Sequence, residues 1–264
     1  MNAVHLEWSV VIPAFLAGVL VLVTHIPLGR EVLKRGIIFI DLAIAQIAAL
    51  GVVLAHLLDW DEVSWMRQAA ALTAALLGAL LLAWTERRWP DVQEALIGAI
   101  FVLAATASLL LLARDPHGGE HLQDMLVGQI LWVSYADLAM AAALTAAVLI
   151  LWRVLKLRAS RLSFYLVFAC AVTISVQLVG IYLVFASLII PALATRAYAS
   201  TRQLVYGYGM GSVAYAVGLV LSGMWDLPAG ALIVWALGTG GALVYALRVR
   251  RVGCVGTDTA ALRK

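Results

Sequence analysis

The chain has 264 residues, of which 64% are hydrophobic and only 12% are charged, and its formal net charge is +3. Soluble domains carry about 25% charged residues, so the composition excludes a soluble globular protein and predicts an integral membrane protein. The apolar runs are long and do not alternate, which favours helical spans over a β-barrel. We therefore predict an all-α polytopic bundle of about eight to nine spans that includes a short re-entrant helix pair. The spans would occupy residues 1–251, and residues 252–264 would form a short, disordered cytoplasmic tail.

Taken in chain order, the apolar runs predict nine candidate spans. They cover residues 9–27, 36–58, 69–84, 92–113, 134–152, 163–178, 181–195, 203–223 and 228–247. The first run lacks a basic lead-in and an Ala-x-Ala-like cleavage site, so we expect a retained span and not a signal peptide.

The run from Ser163 to Thr195 contains 33 residues without a charged side chain. One straight helix of that length would reach about 50 Å, whereas a bilayer core is about 30 Å thick. We therefore expect the run to fold back at Gly180, with the returning half broken near its end by Pro191 and closed by Arg196. Such a helix pair is tolerated inside a membrane only where protein or a water-filled cavity covers its loose backbone, which indicates a transport pathway. The candidate gate residues are Gln177, Gly180, Ser187 and Pro191.

The distribution of basic residues predicts the topology through the positive-inside rule. If the long run is split in two, the N-terminus lies outside and the C-terminus lies in the cytoplasm. That arrangement places 16 of the 18 basic residues on the cytoplasmic side and leaves only Arg67 and Arg114 outside. If the run instead forms a single span, nine basic residues lie on each side of the membrane, so the split is favoured.

Asp41 is the only acidic residue that lies well inside a predicted span, the second one. An ionisable group in the membrane costs a few kcal/mol on insertion scales, so it usually faces a cavity or a partner. The alternative is a structural pairing with Lys34, Arg35 or a neighbouring hydroxyl group. Gln46 lies in the same span, where it could contact a substrate or join two helices by a hydrogen bond. His56, at the outer end of this span, is a candidate ligand at the entrance of a pathway.

Three segments carry a family resemblance. The second span resembles that of the metal-type (zinc, manganese and iron) ABC importer permeases, whose pattern is Gly-Asp-x-Leu-x-His-x-x-x-x-Gly, with Asp41, Gln46 and Gly51 in the corresponding places. The stretch Val179–Arg196 is similar to the family's Val-Gly-x-x-Leu-Val-x-x-Leu-Ile-Pro-Ala-x-x-Ala segment. The stretch Leu122–Leu138 is similar to its Leu-x-Gly-x-Ile-Leu-x-Val-Ser segment.

This resemblance implies a permease subunit in a bacterial inner membrane that passes a divalent metal, zinc or manganese, and binds no cofactor of its own. It also implies a second copy or a paralogue, and a metal-binding extracytoplasmic protein that delivers the substrate; no nucleic acid is expected as a partner. No Gly-x-x-x-x-Gly-Lys-Ser/Thr motif occurs in the sequence, so ATP would be hydrolysed by a separate ATPase subunit. By analogy with the coupling helices of these importers, that subunit would dock near Thr195, Arg196 and Arg202.

The sequence also departs from the family pattern. The family's Asp and His are four residues apart, whereas Asp41 and Gln46 are five apart and would point about 140° apart on a regular helix. They could then hold one ion only if a π-bulge absorbed the extra residue. Oxygen ligands suit manganese better than zinc, so the metal stays open. A stand-alone secondary transporter that uses Asp41 as a proton relay is the alternative function.

A second motif, HGGEH at residues 117–121, matches the His-x-x-Glu-His spelling of inverted zinc proteases. That motif requires a helix to place its ligands on one face, and the two glycines argue against one. We therefore interpret it as a polar outer loop, and a membrane metallo-hydrolase as a distant alternative. No enzymatic activity is expected of this chain itself.

Overall fold

The computed structural model describes residues 7–58, 60, 64–113, 115, 118–154 and 161–261. Within these residues, ten helices follow one another along the chain. They are α1 (Trp8–Arg35), α2 (Ile40–Leu57), α3 (Ser64–Arg88), α4 (Gln93–Leu112), α5 (Gly118–Val127), α6 (Tyr135–Val154), α7 (Arg161–Val179), α8 (Ile181–Thr195), α9 (Ser200–Trp225) and α10 (Ala229–Ala261). Two single 3-10 turns, Pro90–Val92 and Ile130–Trp132, precede α4 and α6.

The prediction of an all-α polytopic membrane protein is confirmed. Seven of the described helices are long and apolar enough to cross a bilayer, and α6 and α8 provide two shorter apolar stretches, Tyr135–Ile150 and Ile181–Thr195. Each of the nine predicted spans corresponds to one of these helices.

Two predicted irregular segments are helical instead. The loop interpretation of HGGEH was wrong from Gly118 onward, because α5 begins there; its two glycines occupy the helix start, and the next eight residues contain neither glycine nor proline. His117 lies outside the described residues, as do the side chains of Glu120 and His121. At the other end of the chain, α10 continues through the predicted boundary at residue 251 to Ala261. No proline interrupts it there, so residues 252–261 are helical where the sequence predicted disorder.

The helices pack in two groups that share contacts through α1 and α7. In one group α2 lies against α3, α4 and α7, and in the other α8 lies against α1, α9 and α10. Small residues allow the close approach that membrane helices need. A Cβ atom on Gly51 of α2 would overlap with the backbone of Ala70 on α3, and one on Gly29 of α1 would overlap with the carbonyl of Leu188 on α8.

The predicted break at Gly180 is confirmed. Its φ of 82° and ψ of 163° fall in a region of backbone space that is essentially restricted to glycine. The Gly180 N–H still donates to the carbonyl of Val176 (2.8 Å), and its carbonyl accepts from the N–H of Val184 (3.1 Å). One helix therefore ends and the next begins at a single residue. The return of α8 across the membrane stays a prediction.

The predicted break at Pro191 was wrong. The helix α8 continues through Pro191 to Thr195, and the Thr195 hydroxyl donates to the Pro191 carbonyl at 2.6 Å. A proline removes one backbone donor, but packed neighbours and hydroxyl side chains accommodate this in membrane helices.

Candidate functional site

Asp41 lies in the first turn of α2 and is buried, with 1% of its surface exposed. The structure thus places it near one end of the helix and not deep within it, because α2 begins at Ile40 and not at residue 36. Neither carboxylate oxygen has a hydrogen-bond partner among the described residues. The helix N-terminus offers the carboxylate a favourable dipole, but it offers no counter-charge.

The structural pairing considered for Asp41 is not formed. The Arg35 side chain donates to the Glu31 carboxylate at 3.2 Å and lies over the Phe164 ring at 4.2 Å. The Lys34 ammonium group also lies 4.0 Å from the Glu31 carboxylate. These basic groups are therefore engaged elsewhere, and the buried carboxylate of Asp41 has no partner among the described residues.

Asp41 and Gln46 do not form one chelating pair. The helix α2 is α-helical without a π-turn from Ile40 to Leu57, so the two side chains diverge by about 140°. Gln46 is 5% exposed. Within the described part of the chain, no three His, Cys, Asp or Glu side chains come close enough to hold a metal ion.

A cavity of about 540 Å³ lies between α2, α3, α6 and α7, beside α5 and the turn Ile130–Trp132. It brings together His56 and Gln177, which the sequence singled out for separate roles, while Asp41 and Gln46 are absent from its lining. Much of the wall is apolar and includes small residues such as Ala48, Ala49 and Ala71. The polar lining residues are His56, Arg67, Gln68, Gln129, Asp137, Thr173 and Gln177.

Two of these polar groups have partners that fix them. The Nε2 atom of His56 lies 3.3 Å from Oδ2 of Asp115. The Asp137 carboxylate accepts hydrogen bonds from the Ser134 hydroxyl at 2.6 Å and from the Ser134 N–H at 3.2 Å. Because these hydrogen bonds cap the start of α6, the Asp137 carboxylate is already engaged in stabilising that helix end.

Thr173 is one of the polar lining residues that the sequence gave no reason to select. Its side chain is 2% exposed, and its hydroxyl has no hydrogen-bond partner among the described residues. Gln177 lies four residues later on α7, and residues at that spacing share one helix face. A lone threonine in an apolar run carries no signal of a neighbouring cavity, so only the fold could identify it.

The predicted gate residues do not form one site. Gln177 lines the cavity, whereas Ser187 is fully buried and its hydroxyl lies 2.9 Å from the Tyr215 hydroxyl. Pro191 is also buried inside α8. Of the four residues, Gln177 and the backbone break at Gly180 are the ones that lie near the cavity.

The predicted docking residues flank the connection between α8 and α9. Arg196 and Arg202 are exposed. Thr195, the last residue of α8, is buried, and its hydroxyl donates a hydrogen bond to the Pro191 carbonyl. The sequence missed Arg30, whose Nη2 donates to the Ser200 hydroxyl at 2.7 Å and so joins the end of α1 to the start of α9.

The sequence profile of the ABC 3 transport family matches residues 7–158 and 152–247, which is most of the chain. The chain belongs to the ABC 3 transport family. It is 24% identical over 248 residues to the high-affinity zinc uptake system membrane protein ZnuB of Haemophilus influenzae, covering 86% of this chain and 93% of that protein. It is also 26% identical over 250 residues to an uncharacterized membrane protein of Synechocystis, covering 87% of each.

A solved structure shares the fold. The structure of PsaBC from Streptococcus pneumoniae in complex with Fab matches with a TM-score of 0.71 at 21% identity, over 90% of this chain and 92% of the matched chain. This chain therefore shares the arrangement of helices of the matched chain, and the similarity extends over nearly the full length of both.

Proposed function

We propose that this chain is the membrane-spanning permease subunit of an ATP-driven importer for a divalent metal cation, zinc or manganese. The observation that carries this proposal is the match of the ABC 3 transport family over residues 7–158 and 152–247. The zinc uptake protein ZnuB, similar over 86% of the chain, supports a metal as substrate. Oxygen and amide groups around the candidate site favour manganese, whereas the relative favours zinc.

Energy would come from a partner. The sequence contains no P-loop, so a separate ATPase subunit would bind and hydrolyse ATP. The exposed guanidinium groups of Arg196 and Arg202 would contact it, and the bond from Thr195 to Pro191 would hold the end of α8 in place. The chain itself would be a transport subunit and not an enzyme.

The remaining assembly is part of the same proposal. The N-terminus would lie outside a bacterial inner membrane and the C-terminus in the cytoplasm, with residues 1–251 forming the permease domain. A second copy or a paralogue would complete the pathway, and a metal-binding extracytoplasmic protein would deliver the ion. Asp41 and His56 would contact the ion at opposite ends of α2, and Gln46 would contribute to the packing of that helix or to its polar surface.

A second candidate function rests on Asp41. A buried carboxylate without a partner among the described residues could carry protons in a secondary metal transporter that needs no ATPase. The two functions differ in their source of energy, and the test must separate them.

The test is co-purification followed by a hydrolysis assay. An ABC ATPase encoded beside this chain should co-purify with it from co-expressing cells, and the complex should hydrolyse ATP. Charge reversal at both Arg196 and Arg202 should weaken the association while the permease remains inserted. Reversal of the exposed Arg67, at the predicted outer face, is the matched control. A chain that never associates with an ATPase, yet transports metal, would contradict the proposal and support the secondary transporter.

A further inference from the structure

The carboxylate of Glu94, in the first turn of α4, holds the backbone that leads into α2. Its Oε1 atom accepts a hydrogen bond from the Phe39 N–H at 3.2 Å, and the Ile38 N–H faces the same carboxylate. Both N–H groups belong to the short connection between α1 and α2, and Glu94 lies 55 residues further along the chain than Phe39. A side chain of another helix thus fixes the turn from which α2 begins.

The rest of this connection satisfies its backbone donors locally. The N–H groups of Gly36 and Ile37 both donate to the Val32 carbonyl at the end of α1. The first N–H groups of a helix have no partner within it, and Phe39, at the N-cap position of α2, has no side-chain acceptor that could bond to them. The Glu94 carboxylate therefore supplies an acceptor that the start of α2 does not provide for itself.

Asp41 depends on this turn for its position. It lies two residues after Phe39, in the first turn of α2, and neither of its carboxylate oxygens has a hydrogen-bond partner among the described residues. No polar contact with those residues fixes the side chain, so its position is set by the surrounding packing and by the backbone of the first turn. Because Glu94 bonds to the residue from which that turn starts, it influences where the Asp41 carboxylate lies without being bonded to it.

The bond from Glu94 contributes more to geometry than to stability. Phe39 is 47% exposed, so water can satisfy its N–H if the Glu94 carboxylate is removed. A water molecule satisfies the donor but does not tie the turn to α4. Loss of the carboxylate is therefore expected to widen the range of positions of the first turn, while the packing of α2 against α3 and α4 remains.

We propose that Glu94 is a positioning residue of the transport pathway, which holds the start of α2 so that the Asp41 carboxylate meets the passing metal. The inference rests on the proposed function, because it assumes that Asp41 contacts a divalent metal. The sequence gave no reason to select Glu94, since acidic residues are generally favourable in the first turn of a helix. The fold shows that this carboxylate also bonds to the start of a different helix.

The first test measures the position of residue 41 directly. In a full-length chain with Cys170→Ser and Cys254→Ser, the variant Asp41→Cys carries a single thiol at a buried position. Glu94→Ala should speed the reaction of this thiol with a small membrane-permeant methanethiosulfonate about threefold to tenfold, the effect of one lost hydrogen bond. Glu94→Gln removes the same charge but keeps an acceptor oxygen, and should leave the rate within about twofold. An unchanged rate in Glu94→Ala would overturn the proposal.

Two controls separate a local effect from a general one. The native thiol of Cys170, on α7, is followed in a chain with Cys254→Ser, and Glu94→Ala should leave its rate unchanged. Asp91→Ala removes an exposed carboxylate from the 3-10 turn just before α4, and should leave the rate at position 41 unchanged. An equal acceleration at Cys170, or in Asp91→Ala, would mean that the effect is not specific to the bond from Glu94, and would overturn the positioning role.

The second test is metal uptake by the complete complex with Asp41 in place. Glu94→Ala should lower the uptake of manganese or zinc about threefold to tenfold at unchanged thermal stability. Glu94→Gln should restore it to within about twofold, and Asp91→Ala should have no effect. Normal uptake by Glu94→Ala would overturn the proposal. An equal loss in Glu94→Gln would also overturn it, because the charge and not the hydrogen bond would then be responsible.

The two proposals fail in different ways. If the unmodified complex takes up neither manganese nor zinc, the proposed function is wrong, whereas the thiol reaction still shows whether Glu94 fixes residue 41. If the unmodified complex transports metal and Glu94→Ala changes neither the thiol reaction nor the uptake, the proposed function stands and the positioning role is wrong.

Discussion

The hydrogen bond between Ser187 and Tyr215 provides a quantitative test of the packing between α8 and α9. The two hydroxyl oxygens are 2.9 Å apart, and both side chains are fully buried. Side-chain hydrogen bonds between membrane helices contribute about 0.6 kcal/mol on average and at most about 1.7 kcal/mol. Full burial places this bond toward the upper end, so we expect a coupling free energy of about 1 kcal/mol.

The perturbation is a double-mutant cycle of Ser187→Ala and Tyr215→Phe. Each single variant leaves one hydroxyl buried without its partner and should lower the free energy of unfolding by about 1–2 kcal/mol. The double variant should cost about 1 kcal/mol less than the sum. Unfolding of the purified chain in mixed micelles by a denaturing detergent measures these values, and Tyr182→Phe, on the exposed face of α8, is the control.

Additivity of the two substitutions within about 0.3–0.5 kcal/mol would refute the reasoning, because residues in direct contact should couple. Ser187 would then be available for the gate role that the sequence suggested. A measured coupling, with normal metal uptake by the double variant, would assign Ser187 to the packing of α8.

Three further predictions concern the backbone contact between Gly128 and Gly180, the buried carboxylate of Asp41, and the docking residues Arg196 and Arg202. Gly128→Ala should destabilise the fold by about 1–3 kcal/mol, because Gly128 has a positive φ and lies against the backbone of Val179 and Gly180. Gly119→Ala should not, because there is open space around Gly119. Equal thermal stability of the two variants would refute the contact. Asp41→Asn should reduce metal uptake at least tenfold without loss of stability, since no counter-charge is lost; full uptake would show that the metal crosses elsewhere. Charge reversal at Arg196 and Arg202 should reduce metal-stimulated ATP hydrolysis about tenfold in the purified complex, and unchanged hydrolysis would remove them from the docking surface.

The elements that the sequence predicted well are those set by local physics. Nine long apolar runs became nine helices because backbone groups in a lipid environment must satisfy their own hydrogen bonds. Gly180 was identifiable because a run of 33 uncharged residues exceeds what one span needs and contains a residue suited to a break. By contrast, Pro191 and the glycines at residues 118 and 119 were given too much weight as helix breakers, since tertiary packing overrides local propensity.

The candidate site was only partly predictable, because it depends on contacts between distant segments. His56 and Gln177 were selected for unrelated reasons, and the fold places both at one cavity. The surroundings of Thr173 and Ser187 are decided by packing, so no spacing rule could find them. Asp41 was correctly selected as an unusual buried carboxylate, but its depth was misjudged because α2 begins four residues later than predicted.

Transport by the purified components tests the central proposal most directly. The chain, its co-purifying ATPase and the metal-binding extracytoplasmic protein of the proposed assembly are combined in proteoliposomes, and the accumulation of manganese and zinc is measured with and without ATP, and with a protonophore. We predict accumulation that requires ATP hydrolysis and is unaffected by the protonophore. Accumulation by the chain alone that follows a proton gradient and does not depend on ATP would contradict the proposed function.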